Sequence, residues 1–233
     1  MITRLLLTLS GLLALADKPP VPGSCVQTLP ADGAWSTYHV SIKVGSQETI
    51  ANWTARSVGQ ATHNGKPCRW IELQLTSDAP MFQEMTWRCL VPEAEFGEGK
   101  HPLGKAVKVW HKLDGQDAQA VDSIEAQDAI FAGLIQGPES NLKTEDAPEI
   151  IPWQKGELSC SVVAGDSEIK LNGILPTPVH HRIFRHPDAP FGMGGVHWAL
   201  TIGDGDQKQT ANVKLTLQDH GTDAKAQLPN LGI

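Results

Sequence analysis

Apolar and polar residues alternate along most of this chain, and this alternation constrains its fold more than any other feature. It begins at Trp35 and recurs at about 50–58, 69–76, 83–91 and 106–112. Successive side chains of a strand point to opposite faces, so each stretch predicts a strand with one apolar face. Clusters of Gly, Asn, Asp, Ser and Pro separate the stretches, as is typical of turns. The first half of the chain therefore predicts an antiparallel meander of five strands.

The segment AVDSIEAQDAIFAGLIQGP changes period. Its apolar positions recur at helical spacing, and they are Val121, Ile124, Phe131, Leu134 and Ile135. Asp122 followed by Glu125 resembles a capping box, and Gly137-Pro138 is a stop signal. We expect one amphipathic helix whose apolar stripe lies on the sheet.

Strand patterns resume at 158–164, where Gly165-Asp166 predicts a two-residue hairpin turn into 169–171. Further strands are predicted at 196–202 and 211–217. The connections are mostly too short for parallel crossovers. The fold class is therefore α+β and mostly β: a curved antiparallel meander, like a half-barrel, with one helix packed on it. This single β-rich domain is expected to span 34–218, with an irregular tail at 219–233.

The first sixteen residues, MITRLLLTLSGLLALA, have the charged start, apolar run and small-residue end of a secretory signal peptide. The alternative, a buried first helix, is less favoured because the segment has no polar face. The apolar run is also too short to span a bilayer, so no transmembrane anchor is expected. Residues 17–33 then form a Pro-rich arm. The sequence predicts export, to the periplasm or the extracellular space.

Export favours disulfides, and the chain has four cysteines. Folding CRWIELQLTSDAPMFQEMTWRC about Asp78-Ala79 places Cys68 opposite Cys89, where Cβ atoms lie about 4.5–5.5 Å apart. Cys25 is then left to pair with Cys160. A slip of one residue would put the first pair out of line, and buried free thiols remain the alternative.

The formal net charge is −7, and no basic cluster is present. Such a chain offers little to phosphate groups, so neither nucleic acid nor an anionic membrane surface is an expected partner. The sequence lacks G-x-S-x-G, H-E-x-x-H, Walker-A and G-x-G-x-x-G motifs. This lowers the case for an enzyme without excluding one, since catalytic groups are recognised by geometry. No cofactor is implied.

The stretch HHRIFRHP raises the question of a metal site. His180 and His181 are adjacent, so on a strand they point to opposite faces and cannot share an ion. Folding the segment about Pro190-Phe191 brings His186 diagonal to His197, about 7–8 Å apart.

Asp188 in the connecting loop would add an oxygen ligand to His186 and His197. This two-histidine site would suit a metal-dependent hydrolase. The alternative, imidazoles on an ordinary polar face, is favoured.

Each of the five leading strands carries one tryptophan: Trp35, Trp53, Trp70, Trp87 and Trp110. Trp70 and Trp110 lie opposite the aliphatic row of their strands, so both faces of the sheet carry apolar surface. One face must curl around a core or cavity while the other is covered. Core packing is one explanation. The other is a ligand-lining aromatic face, with Trp53, Trp70, Trp87 and Trp110 as its candidate residues.

A long antiparallel meander interrupted by a helix, behind a signal peptide, resembles the half-barrel of the periplasmic lipoprotein carriers, the LolA/LppX-like superfamily. The resemblance covers about 34–218 and rests on the order of elements, so no residue role is carried over. It implies a concave face that shelters acyl chains. This chain departs from the carriers in predicting one helix where they use several, and in having four cysteines.

Three functions are consistent with these patterns. The first is an exported binding or structural protein, with an apolar small molecule or lipid on an aromatic sheet face. The second is a metal-dependent hydrolase, and the third is an extracytoplasmic protein-interaction module whose partner the sequence does not name.

Overall fold

The computed structural model describes residues 26–79, 83–97, 100–124, 142–171, 175–202 and 208–228. Within them, strands β1 to β12 follow in chain order: Trp35–Val44, Gln47–His63, Lys66–Thr76, Met85–Pro92, Lys108–Leu113, Gln119–Val121, Lys143–Thr144, Glu149–Trp153, Gly156–Leu171, Leu175–Arg185, Met193–Ile202 and Gln209–Gly221. Two 3-10 turns, Glu93–Glu95 and Leu103–Lys105, lie between β4 and β5. The predicted five leading strands are confirmed.

The strands form one open antiparallel sheet in the order β6-β5-β4-β3-β2-β1-β12-β11-β10-β9-β7, and β8 pairs with β9. Nearly every strand lies beside its neighbour in sequence, as short turns require. The exceptions are β7, which pairs with β9, and β1, which pairs with β12 and so joins the first meander to the second. The predicted mostly β, antiparallel architecture is confirmed.

The predicted turn at Gly165-Asp166 is wrong, because β9 runs unbroken from Gly156 to Leu171. Gly165 instead lies opposite His181 on β10. A glycine within a strand commonly marks a place where a neighbouring group approaches closely, and here the neighbour is an imidazole ring.

Most of the predicted helix, residues 125–138, lies outside the described residues. Its first apolar position, Val121, ends strand β6, and Ile124, the last described residue before the gap, is helical. The complete elements of the described residues are strands and 3-10 turns, so they do not support the helix. No helix within the described ranges is long and apolar enough to cross a membrane.

The predicted hairpin register that opposed Cys68 to Cys89 is wrong. Cys68 pairs with Pro92, and Cys89 pairs with Ile71. The two cysteines therefore lie on opposite faces of the sheet, and both are free thiols, as is Cys160. The alternation of apolar and polar residues predicts these two strands, but it does not give the length of the loop between them. A one-residue change in register reverses the face that a side chain occupies.

Hydrogen bonds of the N-terminal arm show that the sheet is curved. Gln27 donates its N–H to the carbonyl of Phe191, which precedes β11, and its carbonyl accepts from the N–H of Gly97, which follows β4. In a flat sheet β4 and β11 would lie about 24 Å apart, at roughly 4.8 Å per strand. One residue bridges both, so the sheet bends toward the face that the arm closes.

A candidate binding site on the inner face of the sheet

The concave side of the sheet, called here the inner face, is apolar from β4 to β10. Cross-strand pairing aligns its side chains in rows, including Trp87–Leu73–Ala55, Trp53–Tyr38–Leu217 and Val213–Trp198–His181. All nine are buried. Each of these rows contains one indole ring.

The four predicted tryptophans do not share a face. Trp53 and Trp87 belong to the inner face, where Trp53 packs against Tyr38 with ring centroids 5.0 Å apart. Trp70 and Trp110 pack together on the outer face with centroids 5.5 Å apart. The prediction that both faces carry apolar surface is therefore correct, but the four residues cannot line one site.

His181 is the one buried histidine of the inner face, and its adjacent residue His180 points outward. His180 is half-exposed and lies 2.8 Å from Asp166. His181 is fully buried, shares a 2.5 Å hydrogen bond between its Nε2 and Ser167 Oγ, and meets Trp198 edge-on. Burial lowers the pKa of His181 to about 4, aided by repulsion from His180, so the ring is neutral at neutral pH. Opposite orientation of the two histidines is confirmed.

One end of the sheet, called here the closed end, is filled by apolar side chains from the arm and loops. Val26, Phe96, Leu103 and Phe191 are all buried there. Tyr38 donates its hydroxyl hydrogen to the carbonyl of Met193 at 2.9 Å, which ties the inner face to this end.

The other end differs in exposure. Ile42, Val44 and Leu75, called here the rim, face inward near the β1–β2 and β3–β4 turns but are only half-buried against the core. The inner face thus changes along the strands from fully covered at the closed end to partly open at the rim.

On the outer face, the C-terminal tail is fixed by a buried charge pair. Glu72 accepts the N–H groups of Gln227 at 2.7 Å and Leu228 at 3.2 Å, and Arg88 donates to the carbonyl of Leu228 at 2.7 Å. The guanidinium of Arg88 also stacks 4.8 Å above Trp70. Burial raises the pKa of Glu72, while it lowers that of Arg88. The tail therefore covers part of the outer apolar cluster.

The predicted metal ligands do not come together. His197 lies opposite Arg182, because the true register is offset from a fold about Pro190-Phe191. His186 instead accepts the N–H of Asp188 at 3.2 Å within its own loop. Across the described ranges, no group of three metal-ligating side chains converges. The described structure therefore does not bring His186, His197 and Asp188 into one group, and the metal site stays a prediction.

Two clefts lie away from the inner face. One of about 530 Å³ sits at the closed end between the arm and Arg185, and is bordered by Glu93 and Phe96. The other, of about 280 Å³, lies beside β8 and holds Arg182, which pairs with Glu149 at 2.7 Å. Both are open and are lined by charged as well as apolar side chains, including Glu93 and Phe96 in the first and Arg182 and Phe184 in the second.

No family model and no curated protein matches the chain. A Bacteroides fragilis structure with a YmcC-like fold, named as a candidate exported protein, is 9% identical over 84% of this chain and 100% of its own, with a TM-score of 0.41. A DUF1329 family protein from Desulfovibrio piger is 8% identical over 83% and 87%, with a TM-score of 0.36. At these scores neither likeness carries an argument about fold or function.

Sequence reasoning missed two functional features. The buried Ser167–His181 pair was hidden because Gly165-Asp166 looked like a turn, which placed Ser167 on a different strand register. The Glu72–Arg88 pair was hidden because both lie on alternating strands whose polar positions suggested exposure. The sequence carried one signal for the Ser167–His181 pair. On a strand, His181 lies on the same face as Val179 and Ile183, which are apolar.

Proposed function

We propose that this chain is an exported β-rich protein that binds an apolar, lipid-like ligand on the inner face of its sheet. The observation that carries this proposal is the change along that face, from the filled closed end to the half-buried rim at Ile42, Val44 and Leu75. Half-exposed apolar side chains that continue a buried apolar surface favour association with an apolar partner. The rim is the place where a ligand would enter.

Further support comes from the tryptophans that remain on this face. Trp53, Trp87 and Trp198 are among the largest fully buried side chains, and they lie opposite Tyr38, Leu73 and His181 in the adjoining strands. Flat rings provide extended contact area for acyl chains. Export rests on the N-terminal sequence, and the carrier-like role rests on the resemblance in element order.

The experiment is lipid extraction from protein purified without detergent, followed by mass spectrometry and by tryptophan fluorescence titration with oleate. Co-purifying acyl lipid and a saturable spectral change are expected. Leu75→Asp at the rim is expected to weaken binding by roughly tenfold or more, since a carboxylate there would have to be desolvated beside the ligand. Ile150→Asp is the matched control, because Ile150 is apolar but 61% exposed on β8.

If the wild-type protein carries no lipid and its fluorescence does not respond to oleate, the inner face is only a core. Equal losses in the Leu75 and Ile150 variants would also count against the proposal, because they would place the effect outside the rim.

A further inference from the structure

Two adjacent polar nitrogens on the inner face have no hydrogen-bond partner within the part of the chain that the structure describes. They are Nδ1 of His181 and Nε1 of Trp198, and both atoms are buried. A buried group without a partner typically costs about 1–3 kcal/mol, and the great majority of such groups are satisfied in native proteins. Two such groups on paired strands could both be satisfied by one acceptor that a ligand supplies.

Cross-strand pairing places these two groups together. His181 on β10 lies directly opposite Trp198 on β11, with ring centroids 6.4 Å apart at an interplanar angle of 81°. Directly opposed side chains share one patch of the sheet surface. The next residue in the same row on β9 is Gly165, which contributes no side chain to that patch.

Ser167 determines which nitrogen of the His181 imidazole carries the hydrogen. Its hydroxyl lies 2.5 Å from Nε2 of His181, and when that hydroxyl donates, Nε2 is the acceptor and Nδ1 carries the hydrogen. The indole of Trp198 is always a donor. In this arrangement the patch presents two N–H donors and needs an oxygen acceptor.

The patch also lies where the head group of a ligand entering at the rim would come to rest. His181 shares a register row with Trp198 and Val213, and Val213 pairs with Ile42 of the rim on β1. An acyl chain directed from this row toward the closed end would run past Val40 and then past Trp53 and Tyr38, which lie two rows deeper. The polar and apolar parts of an amphiphile therefore each meet a matching surface.

We propose that His181 and Trp198 bind the carboxyl or ester carbonyl oxygen of an acyl ligand through their two N–H groups, with Ser167 holding the imidazole in the donor tautomer. This inference rests on the proposed function, because it assigns the head-group contact of the same site. A neutral imidazole donates to a carbonyl oxygen without a net charge being buried, which suits an apolar surface.

The test compares two probes, cis-parinaric acid, which has a carboxyl head, and N-phenyl-1-naphthylamine, which has none. His181→Phe keeps a ring of similar size but removes both nitrogens. We expect it to weaken binding of the acid by roughly tenfold, the size of one lost buried hydrogen bond, and to change binding of the naphthylamine less than about twofold. His180→Phe is the matched control, since His180 is the adjacent residue on the outer face, and it should alter neither.

A second measurement reads the site in the wild-type protein, and a variant is used only to assign the resonance. Adding oleate to the wild-type protein should shift the indole N–H proton of Trp198 downfield in the NMR spectrum, with the resonance assigned from Trp198→Phe. Equal weakening of both probes by His181→Phe, or an unmoved indole proton at saturating oleate, would overturn the head-group assignment. Failure of both probes to bind the wild-type protein would instead refute the proposed function itself.

Discussion

Cys68 and Cys89 lie on opposite faces of the sheet, Cys68 beside Trp70 and Cys89 beside Ile71. A disulfide requires Cβ atoms about 3.5–4.5 Å apart, and side chains on opposite faces cannot reach each other without moving the backbone. We therefore expect both thiols to be free in the oxidised, exported protein. Alkylation after denaturation without reductant, read by peptide mass spectrometry, should label Cys68 and Cys89.

The same measurement tests the remaining pairing of Cys25 with Cys160. Cys25 lies outside the described residues, but Val26 beside it is buried in the core, and Thr28 lies against Gly192. The sulfur of Cys160 lies over Gly194, two residues further along. Cys160 is a free thiol within the described residues, so we expect it to be alkylated as well, and a peptide linking Cys25 to Cys160 would contradict this expectation.

Alkylation of the folded protein also measures how fast each thiol reacts. Burial raises the pKa of the Cys89 thiol to about 12, so almost no thiolate forms at neutral pH. Cys89 should therefore resist alkylation until the protein unfolds. Rapid native modification of Cys89 would show that the inner face opens under native conditions.

The strands and their facing residues were predictable from sequence, because alternation is a direct consequence of strand geometry. His180 and His181 illustrate this, since adjacency alone assigns them to opposite faces. The register between paired strands was harder to predict from the sequence. The pairing of Cys68 with Pro92 depends on the length of the β3–β4 loop, and the pairing of His197 with Arg182 depends on the irregular register between Phe184 and Arg185.

The candidate site was harder to predict than the fold, because it depends on which side chains come to lie opposite each other across paired strands. Trp198 was read as one apolar residue of a strand, and only the pairing of β11 with β10 places its indole beside His181. Glu72 likewise looks like an ordinary polar position. Its role depends on a tail more than 150 residues away that carries no periodic pattern.

Acid stability should depend on His181. Its pKa is lowered from 6.5 in the unfolded chain to about 4 in the folded protein, so the unfolded state binds more protons between these values. Stability is therefore lost as the pH falls from 6.5 toward 4, by about 3 kcal/mol at roughly 1.4 kcal/mol per pKa unit. Urea unfolding at pH 7 and pH 4.5 measures this loss.

His181→Phe should lose less stability over that pH interval than the wild-type protein, because phenylalanine has no proton to bind. His180→Phe should retain the wild-type dependence. Parallel pH profiles for wild type and His181→Phe would mean that other groups account for the acid sensitivity.

Tyr38 offers a test of the closed end. It is the only tyrosine of the chain, and its buried hydroxyl donates to the carbonyl of Met193 at 2.9 Å. Tyr38→Phe keeps the ring packed against Trp53 and removes one buried hydrogen bond, so we expect a loss of about 1 kcal/mol in the free energy of unfolding. Ser41→Ala is the control, because its hydroxyl bonds to Glu48 at an exposed site. Equal effects of the two substitutions would show that the closed end adds no stability through this contact.

The buried pair of Glu72 and Arg88 should be the most sensitive polar feature of the fold. The two side chains are 0% and 5% exposed and lie 3.7 Å apart. Glu72→Gln leaves the guanidinium of Arg88 buried without its counter-charge, and removing one partner of a buried pair typically costs about 3–5 kcal/mol. Thermal unfolding should report a fall of roughly 6–15 °C in Tm for a chain of this size. Glu157→Gln on an exposed stretch of β9 should change Tm little.

The contact with the tail can be separated from the charge pair by a double-mutant cycle. Truncation after Ala226 removes the N–H groups of Gln227 and Leu228 that Glu72 accepts, together with the carbonyl that binds Arg88. If these groups act as one unit, the combined loss in Glu72→Gln plus truncation should be smaller than the sum of the single losses by about 1 kcal/mol or more. Additive losses would mean that Glu72 stabilises the sheet without holding the tail, and the tail would then be free to leave the outer face of β3 and β4.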